Sequence, residues 1–257
     1  MLKKRVIVCL DVKEGKTTKG VRFKGNFEVG DPVKMAAEYY RQGVDELVFY
    51  DITASHEKRG IMIDVVRKVA ERTFIPFAVG GGINSLDDMK RVILAGAEKV
   101  SVNSGAVLQP DIIRAGAEHF GNQCIVLGMD AARDASCPSG YRVFINGGRT
   151  STELDALEWA HRAVDLGAGE IVLNSIDADG TKEGYEIPLT RSISEAVHVP
   201  VVASGGAGVP EHLVQVFKEG KADAALVASM VHIDGYTVGS IKKYLDEAKI
   251  PVRIDGV

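Results

Sequence analysis

Short apolar, β-branched segments recur along the 257-residue chain, and the longer stretches between them place apolar residues at helical spacing. The segments that predict strands are residues 6–10, 46–50, 77–79, 99–102, 125–129, 170–173, 201–203 and 224–227. Eight strand-helix units in succession are typical of a closed parallel barrel. The sequence therefore predicts the α/β class and a single (β/α)₈ TIM barrel over residues 1–257.

Two insertions interrupt this regular spacing. Residues 13–30 form a long, polar, glycine-rich stretch after the first strand, and residues 133–151 follow the fifth strand and contain a hairpin-like segment from Tyr141 to Gly148. Both lie on the side where strands end, which is the side that carries the chemistry in barrel enzymes.

Composition and charge narrow the class of protein. The net charge of −4 offers no concentrated basic field, so we expect neither a nucleic-acid nor an anionic-membrane partner. No apolar stretch reaches the roughly 18 residues of a membrane helix, and a cytoplasmic protein is expected. The three cysteines are scattered without a metal-ligand spacing, which supports neither a zinc site nor a disulfide framework. The strand-end carboxylates leave metal binding open as an alternative, but they lie on different strands without a diagnostic spacing, and we expect no metal and no cofactor.

The second half of the chain repeats features of the first. Asp11 and Asp130 lie 119 residues apart, Gly81 and Gly205 lie 124 apart, and a strand-end serine, Ser104, has its counterpart 125 residues later. The near-constant shift predicts a twofold internal repeat with half-barrels at about residues 1–122 and 123–257. The alternative is that any barrel repeats similar apolar and glycine patterns.

Glycine and small polar residues follow four of the strands in two matched pairs. Glycine lets a backbone approach an anion closely, so each pair predicts a phosphate site, unless the glycines only make turns. The predicted substrate-binding and phosphate-binding residues are Gly81, Gly82, Asn103 and Ser104 in the first half and Asp179, Gly180, Thr181, Gly205, Gly206, Ala228 and Ser229 in the second. Two such sites imply an elongated substrate with phosphate at both ends.

Asp11 and Asp130 end the predicted first and fifth strands, which face each other across the mouth of an eight-stranded barrel. Such a pair suits general acid and base catalysis. The alternative is that each aspartate caps a loop or pairs with a lysine. Asp51, Asp177 and Asp179 are further strand-end carboxylates, for which we predict a substrate-orienting role.

These motifs carry a family resemblance. Residues 9–15 (CLDVKEG), 51–55 (DITAS), 79–83 (VGGGI), 175–181 (SIDADGT) and 203–208 (ASGGAG) resemble the cyclase subunit of imidazole glycerol phosphate synthase, from histidine biosynthesis. The likeness extends from Lys4 to Arg253. One departure is Ser104, where the family pattern leads us to expect threonine.

The resemblance implies an activity, a partner and further site residues. A glutaminase subunit would form a heterodimer with this chain and deliver ammonia. The ammonia would convert phosphoribulosyl-formimino aminoimidazole carboxamide ribonucleotide to imidazole glycerol phosphate and aminoimidazole carboxamide ribonucleotide. Asp11 and Asp130 match the family's catalytic acid and base, and Lys19 matches the lysine on its mobile loop. The residues that match its ammonia gate are Arg5, Glu46, Lys99 and Glu170, and Glu98 is expected near the partner interface.

Two other functions stay open on the sequence. The sister phosphoribosyl-formimino isomerase of the same pathway is also a doubled barrel with two aspartates, although the charged residues at the strand starts and residues 51–55 favour the cyclase. A non-catalytic barrel that activates a partner enzyme is the second alternative. Without the resemblance, charges at strand starts would only solvate the bottom of the barrel.

Overall fold

A computed structural model describes residues 2–21, 24–52 and 62–254 of the chain. All eight predicted strands are present and close into a parallel barrel. In barrel order they are β1 (Arg5–Lys13), β4 (Glu46–Asp51), β5 (Phe77–Gly80), β6 (Lys99–Val102), β7 (Ile125–Arg133), β10 (Glu170–Ser175), β11 (Val201–Ser204) and β12 (Ala224–Val227). The pairing of Arg5 with Ala224 joins the first strand to the last. The predicted fold is confirmed, while Thr53, Ala54 and Ser55 of the family motif lie outside the described residues.

Helices follow the barrel strands and cover the outside of the sheet. They are α1 (Pro32–Arg41), α2 (Ile63–Ala70), α3 (Leu86–Leu94), α4 (Ser104–Leu108), α5 (Asp111–Phe120), α6 (Ala156–Asp165), α7 (Ile187–Ala196), α8 (Pro210–Lys218), α9 (Ser229–His232) and α10 (Val238–Glu247). Ser85 caps α3 because its side chain accepts a hydrogen bond from the backbone N–H of Asp88. None of the described helices combines the length and the hydropathy needed to cross a membrane.

The core has two layers because successive strand residues point to opposite faces. On β1, Val6, Val8 and Leu10 belong to the large cluster between sheet and helices. Ile7 and Cys9 belong to a separate small cluster that fills the barrel interior. The side chains on this inner face lead from one end of the barrel to the other, and both ends carry charged residues.

Both insertions form antiparallel hairpins. The hairpin predicted after the fifth barrel strand is confirmed as β8 (Tyr141–Ile145) and β9 (Thr150–Asp155). The first insertion, for which no strands were predicted, contains β2 (Lys16–Val21) and β3 (Lys24–Gly30). Since these hairpins pair with β1 and β7, both barrel strands continue past Asp11 and Asp130 instead of ending there.

The two halves share further details that support an internal repeat. Gly81 and Gly82 have φ values of +91° and +71°, and their counterparts Gly205 and Gly206 have values of +89° and +102°. Both β1 and β7 are nine residues long and continue into a hairpin. The boundary between half-barrels near residue 122 stays a prediction.

Candidate active site

A cavity of about 370 Å³ opens where the barrel strands end. It brings together the two predicted aspartates and residues from both predicted phosphate sites. The predicted site residues that line it are Asp11, Lys19, Gly81, Asn103, Ser104, Asp130, Asp179, Gly180, Gly205, Gly206, Ala228 and Ser229. Gly82 and Thr181 are not among the lining residues. The Thr181 hydroxyl instead donates a hydrogen bond to the carbonyl of Ala178 over 2.7 Å, within the loop that carries Asp179.

Asp11 lies on β1 beside a lysine from the first hairpin. Its Oδ2 is 3.2 Å from Nζ of Lys19, and its Oδ1 accepts a hydrogen bond of 3.2 Å from the thiol of Cys9. Burial alone would lower the pKa of Lys19, but the carboxylates of Asp11 and Asp179 outweigh it and raise the pKa, so the ammonium stays charged. Burial and the Asp11 carboxylate raise the pKa of the Cys9 thiol, which therefore stays protonated.

Asp130 lies on β7 and is only 8% exposed. Its carboxylate accepts hydrogen bonds from the side-chain amides of Asn103, over 2.9 Å, and Asn174, over 3.1 Å. Burial raises the pKa of Asp130 to about 6, although both amides oppose this shift by stabilising the charged form. A carboxyl with this pKa can exchange a proton close to neutral pH, as general acid–base catalysis requires.

The first glycine-rich turn lies against the backbone of the neighbouring strand. A Cβ added to Gly81 would lie 2.2 Å from the carbonyl oxygen of Asp51, so only glycine fits there. Next to it, Asn103 precedes α4, and Ser104 begins it. We call Gly81, Asn103 and Ser104 the first cradle. All three line the cavity.

The second glycine-rich turn is built in the same way on the opposite side. A Cβ on Gly206 would lie 1.9 Å from the carbonyl oxygen of Gly184. Gly205 and Gly206 follow β11, and Ala228 and Ser229 follow the adjacent strand β12. All four line the cavity, and we call them the second cradle. Lys182 borders it, with its ammonium 2.5 Å from the carboxylate of Asp234.

The four charged residues predicted at the strand starts form a closed ring at the other end of the barrel. Arg5 lies 2.6 Å from Glu46 and 2.8 Å from Glu170, and Lys99 lies 2.8 Å and 3.1 Å from the same two carboxylates. Burial lowers the pKa of Arg5, but Glu170 and Glu46 outweigh it and raise the pKa. We call these four residues the charge ring. The apolar inner cluster of the barrel lies between the ring and the cavity.

Comparison with known proteins indicates the family to which a chain with this site is related. The sequence model of a family described as "Histidine biosynthesis protein" matches residues 5–237. Imidazole glycerol phosphate synthase subunit HisF of Desulfatibacillum aliphaticivorans is 67% identical over 256 residues, which are 98% of each chain. The proteins of the same name from Desulforapulum autotrophicum and Desulfovibrio desulfuricans are 65% and 56% identical over 98% and 95% of this chain and 99% and 96% of their own.

The chain belongs to the HisF family. The resemblance carried by the sequence motifs is therefore confirmed. The relatives are named as subunits of a synthase, and the family is one of histidine biosynthesis. The cavity therefore belongs to a protein of this class. In the described ranges, no group of three or more histidine, cysteine, aspartate or glutamate side chains is arranged to hold a metal ion.

Several residues of this HisF-family site were not predicted. Asn174 holds Asp130, and its own Oδ1 accepts a hydrogen bond of 3.1 Å from Ser204. The signal in the sequence was a polar residue within the apolar strand β10, and its register places it beside Asp130. The tip of the second hairpin also contributes, because Asn146, Gly147 and Arg149 line the cavity.

His232 is a second residue whose role the sequence did not indicate. Its Nε2 lies 2.8 Å from the carbonyl oxygen of Cys9, and its Nδ1 lies 2.6 Å from the hydroxyl of Tyr39. Burial lowers the pKa of His232, which favours the neutral ring. A neutral ring that donates to Cys9 and accepts from Tyr39 joins α9, and thereby Ser229, to the strand that carries Asp11.

Proposed function

We propose that this HisF-family chain is the cyclase subunit of imidazole glycerol phosphate synthase. It uses ammonia to convert phosphoribulosyl-formimino aminoimidazole carboxamide ribonucleotide to imidazole glycerol phosphate and aminoimidazole carboxamide ribonucleotide. The observation that carries the proposal is that both aspartates and both cradles line one cavity. The chemistry needs no metal or cofactor in this proposal.

The order of the barrel strands supports the way in which such a substrate would lie. Asp11 and Asp130 are on β1 and β7, four strands apart in a ring of eight, and the cradles follow the β5–β6 and β11–β12 pairs, which are also opposite each other. A molecule held by one phosphate in each cradle has its middle between the two carboxylates. Binding energy from the remote phosphates then orients the reacting centre.

The two carboxylates differ in a way that suits acid–base work. Asp130 is buried and has a pKa near 6, whereas the carboxylate of Asp11 is paired with the ammonium of Lys19. Cyclisation and cleavage require protons to be removed from one position and supplied to another. Asp11 and Asp130 supply these roles in the proposal, and Lys19 keeps positive charge beside Asp11.

Ammonia would enter at the opposite end of the barrel. The relatives are named as subunits, which supports the existence of a partner, and we propose a glutaminase bound over the charge ring. Arg5, Glu46, Lys99 and Glu170 would then form the gate. The apolar inner cluster beyond the ring suits the passage of a small neutral molecule such as ammonia.

The test is turnover by the isolated chain with ammonium salts at alkaline pH. We expect conversion of the substrate, and a loss of about 10²-fold or more in Asp11→Asn and in Asp130→Asn, the usual scale for losing acid–base assistance. Asp111→Asn is the matched control, because this side chain is exposed on α5. Wild-type rates in both active-site variants would refute the mechanism, and turnover of the isomerase substrate instead would favour the sister enzyme.

A further inference from the structure

Arg149 lies in the turn between β8 and β9, and its side chain lines the cavity. The turn extends from the second hairpin to the first cradle. The backbone N–H of Asn146 donates a hydrogen bond of 2.9 Å to the hydroxyl of Ser104, and the guanidinium of Arg149 donates one of 2.9 Å to the carbonyl of Asn146. Two hydrogen bonds therefore connect the guanidinium of Arg149 to the hydroxyl of the cradle.

The charge of Arg149 is not balanced by a carboxylate in the way that the other cavity cations are. Among the described residues, the positively charged side chains that line the cavity are Lys13, Lys19, Arg149 and Lys182. The lysines have carboxylate partners at 3.9, 3.2 and 2.5 Å, respectively. Arg149 has no carboxylate partner within the described ranges, and its hydrogen bond to the carbonyl of Asn146 uses only one of its five N–H donors.

The turn has a backbone that suits this placement of the side chain. Asn146, Gly147 and Gly148 have φ values of +57°, +65° and +72°, a conformation that favours glycine. A Cβ on Gly147 would lie 3.1 Å from Nη1 of Arg149, so glycine at this position leaves room for the guanidinium. The turn thus holds Arg149 against its own backbone at the rim of the cavity.

We propose that Arg149 is a ligand of the phosphate bound by the first cradle. The inference rests on the proposed function and deepens it. The cradle supplies neutral donors from backbone and hydroxyl groups, and Arg149 supplies the positive charge. Its planar guanidinium can give two parallel hydrogen bonds to phosphate oxygens, which a lysine cannot. Each product of the reaction keeps one of the two phosphates, so Arg149 contacts only the product that occupies the first cradle.

The test is calorimetric binding of imidazole glycerol phosphate and, separately, of aminoimidazole carboxamide ribonucleotide to the full chain. We expect Arg149→Gln to weaken one product by about 10-fold or more, the scale of charge-assisted hydrogen bonds, and to change the other by less than about twofold. Arg149→Lys should recover part of the loss, because the charge is kept while the paired donors are lost. Arg191→Gln is the control, since Arg191 pairs with Glu195 on α7 and is not a lining residue.

Unchanged binding of both products in Arg149→Gln, or an equal loss for both, would overturn the role of Arg149. In those cases ammonia-dependent turnover by the wild-type chain would leave the proposed function standing. A wild-type chain that binds neither product and has no turnover would overturn both. Thermal unfolding of each variant shows whether a loss of binding reflects a loss of folded protein.

Discussion

The side-chain amide of Asn103 donates a hydrogen bond to the carboxylate of Asp130 over 2.9 Å. Asn103 follows β6 and precedes Ser104, so the same short segment contributes to the first cradle and holds the carboxylate of Asp130 on the neighbouring strand β7. A change in the position of the phosphate would therefore also move the donor that stabilises the charged form of Asp130. In the proposed mechanism, phosphate binding and the pKa of Asp130 are coupled through this one amide.

Asn103→Ala should move the pKa of Asp130 upward from about 6. Burial is the main cause of the raised pKa, and the amide of Asn103 is one of two hydrogen bonds that oppose it. Its removal should raise the pKa by about one unit, given the usual free energy of a hydrogen bond to a charged group. The measurement is the pH dependence of kcat/KM at a fixed concentration of unprotonated ammonia.

The limb of that profile assigned to Asp130 should shift to higher pH in Asn103→Ala. Asn122→Ala is the matched control, because Asn122 lies in the short 3-10 turn before β7. This variant should keep the wild-type profile. A limb that stays in place while turnover falls would mean that Asn103 acts only through the phosphate.

The pH dependence of stability offers a second measurement on Asp130. Its folded pKa, about 6, is above the ordinary value of 3.8, so between about pH 4 and 6 the folded chain binds a proton that the unfolded chain lacks. The stability contributed by this group is therefore lost as the pH rises through that window. Between pH 5 and pH 7.5 the loss should be about 1 kcal/mol. The measurement is the free energy of unfolding in urea for the wild type and for Asp130→Asn at several pH values. The difference between the two proteins should change with pH, and a constant difference would contradict the raised pKa.

Much of this architecture could be predicted from the sequence because barrel strands are short, apolar and regularly spaced. Once eight strands are placed in order, the positions of Asp11 and Asp130 follow from the closure of the barrel. The same argument predicted both cradles, whereas the residues of the charge ring were singled out only by the family resemblance. Local sequence suffices here because each of these residues lies at the end or the start of a strand.

Other features depend on contacts between distant segments. The strands β2 and β3 were not predicted, since their sequence is polar and lacks the apolar alternation of a half-buried strand. Asn174 lies 44 residues from Asp130 in sequence, and Arg149 lies 45 residues from Ser104. Only the register of β7 with β10 and the geometry of a hairpin turn bring these two residues to the cavity. No sequence spacing indicates such contacts.

Two glycines test whether the close backbone approach at the first cradle is required. Gly81 and Gly140 have similar φ values, +91° and +81°, but a Cβ would meet the carbonyl oxygen of Asp51 at 2.2 Å in the first case and nothing within 4 Å in the second. Gly140→Ala should cost about 1 to 2 kcal/mol, the cost of a left-handed conformation. Gly81→Ala should cost clearly more and weaken substrate binding. Urea unfolding of both variants gives the comparison, and equal losses would mean that the turn relaxes to accept a side chain.

The charge ring gives a prediction about the gate. Glu46 is 1% exposed and lies close to both Arg5 and Lys99, so the ring closes this end of the barrel interior. Lys99→Ala leaves Arg5 alone between two carboxylates and opens one side of the ring. Glutamine-dependent turnover with the proposed glutaminase partner should therefore change more than turnover driven by added ammonium, because in the proposed mechanism only the first depends on passage through the ring.

Lys4→Ala is the matched control for this experiment. Lys4 directly precedes β1, the strand that begins with Arg5 of the ring. The ammonium of Lys4 is bound outside the ring by the carbonyl of Ala222 and the carboxylate of Asp223. It should leave the ratio of the two activities at the wild-type value. Equal changes of both activities in Lys99→Ala would mean that the ring stabilises the barrel without gating it, since a loss of folded protein reduces both reactions alike. Arg5→Ala should then behave in the same way as Lys99→Ala, because it faces the same two carboxylates.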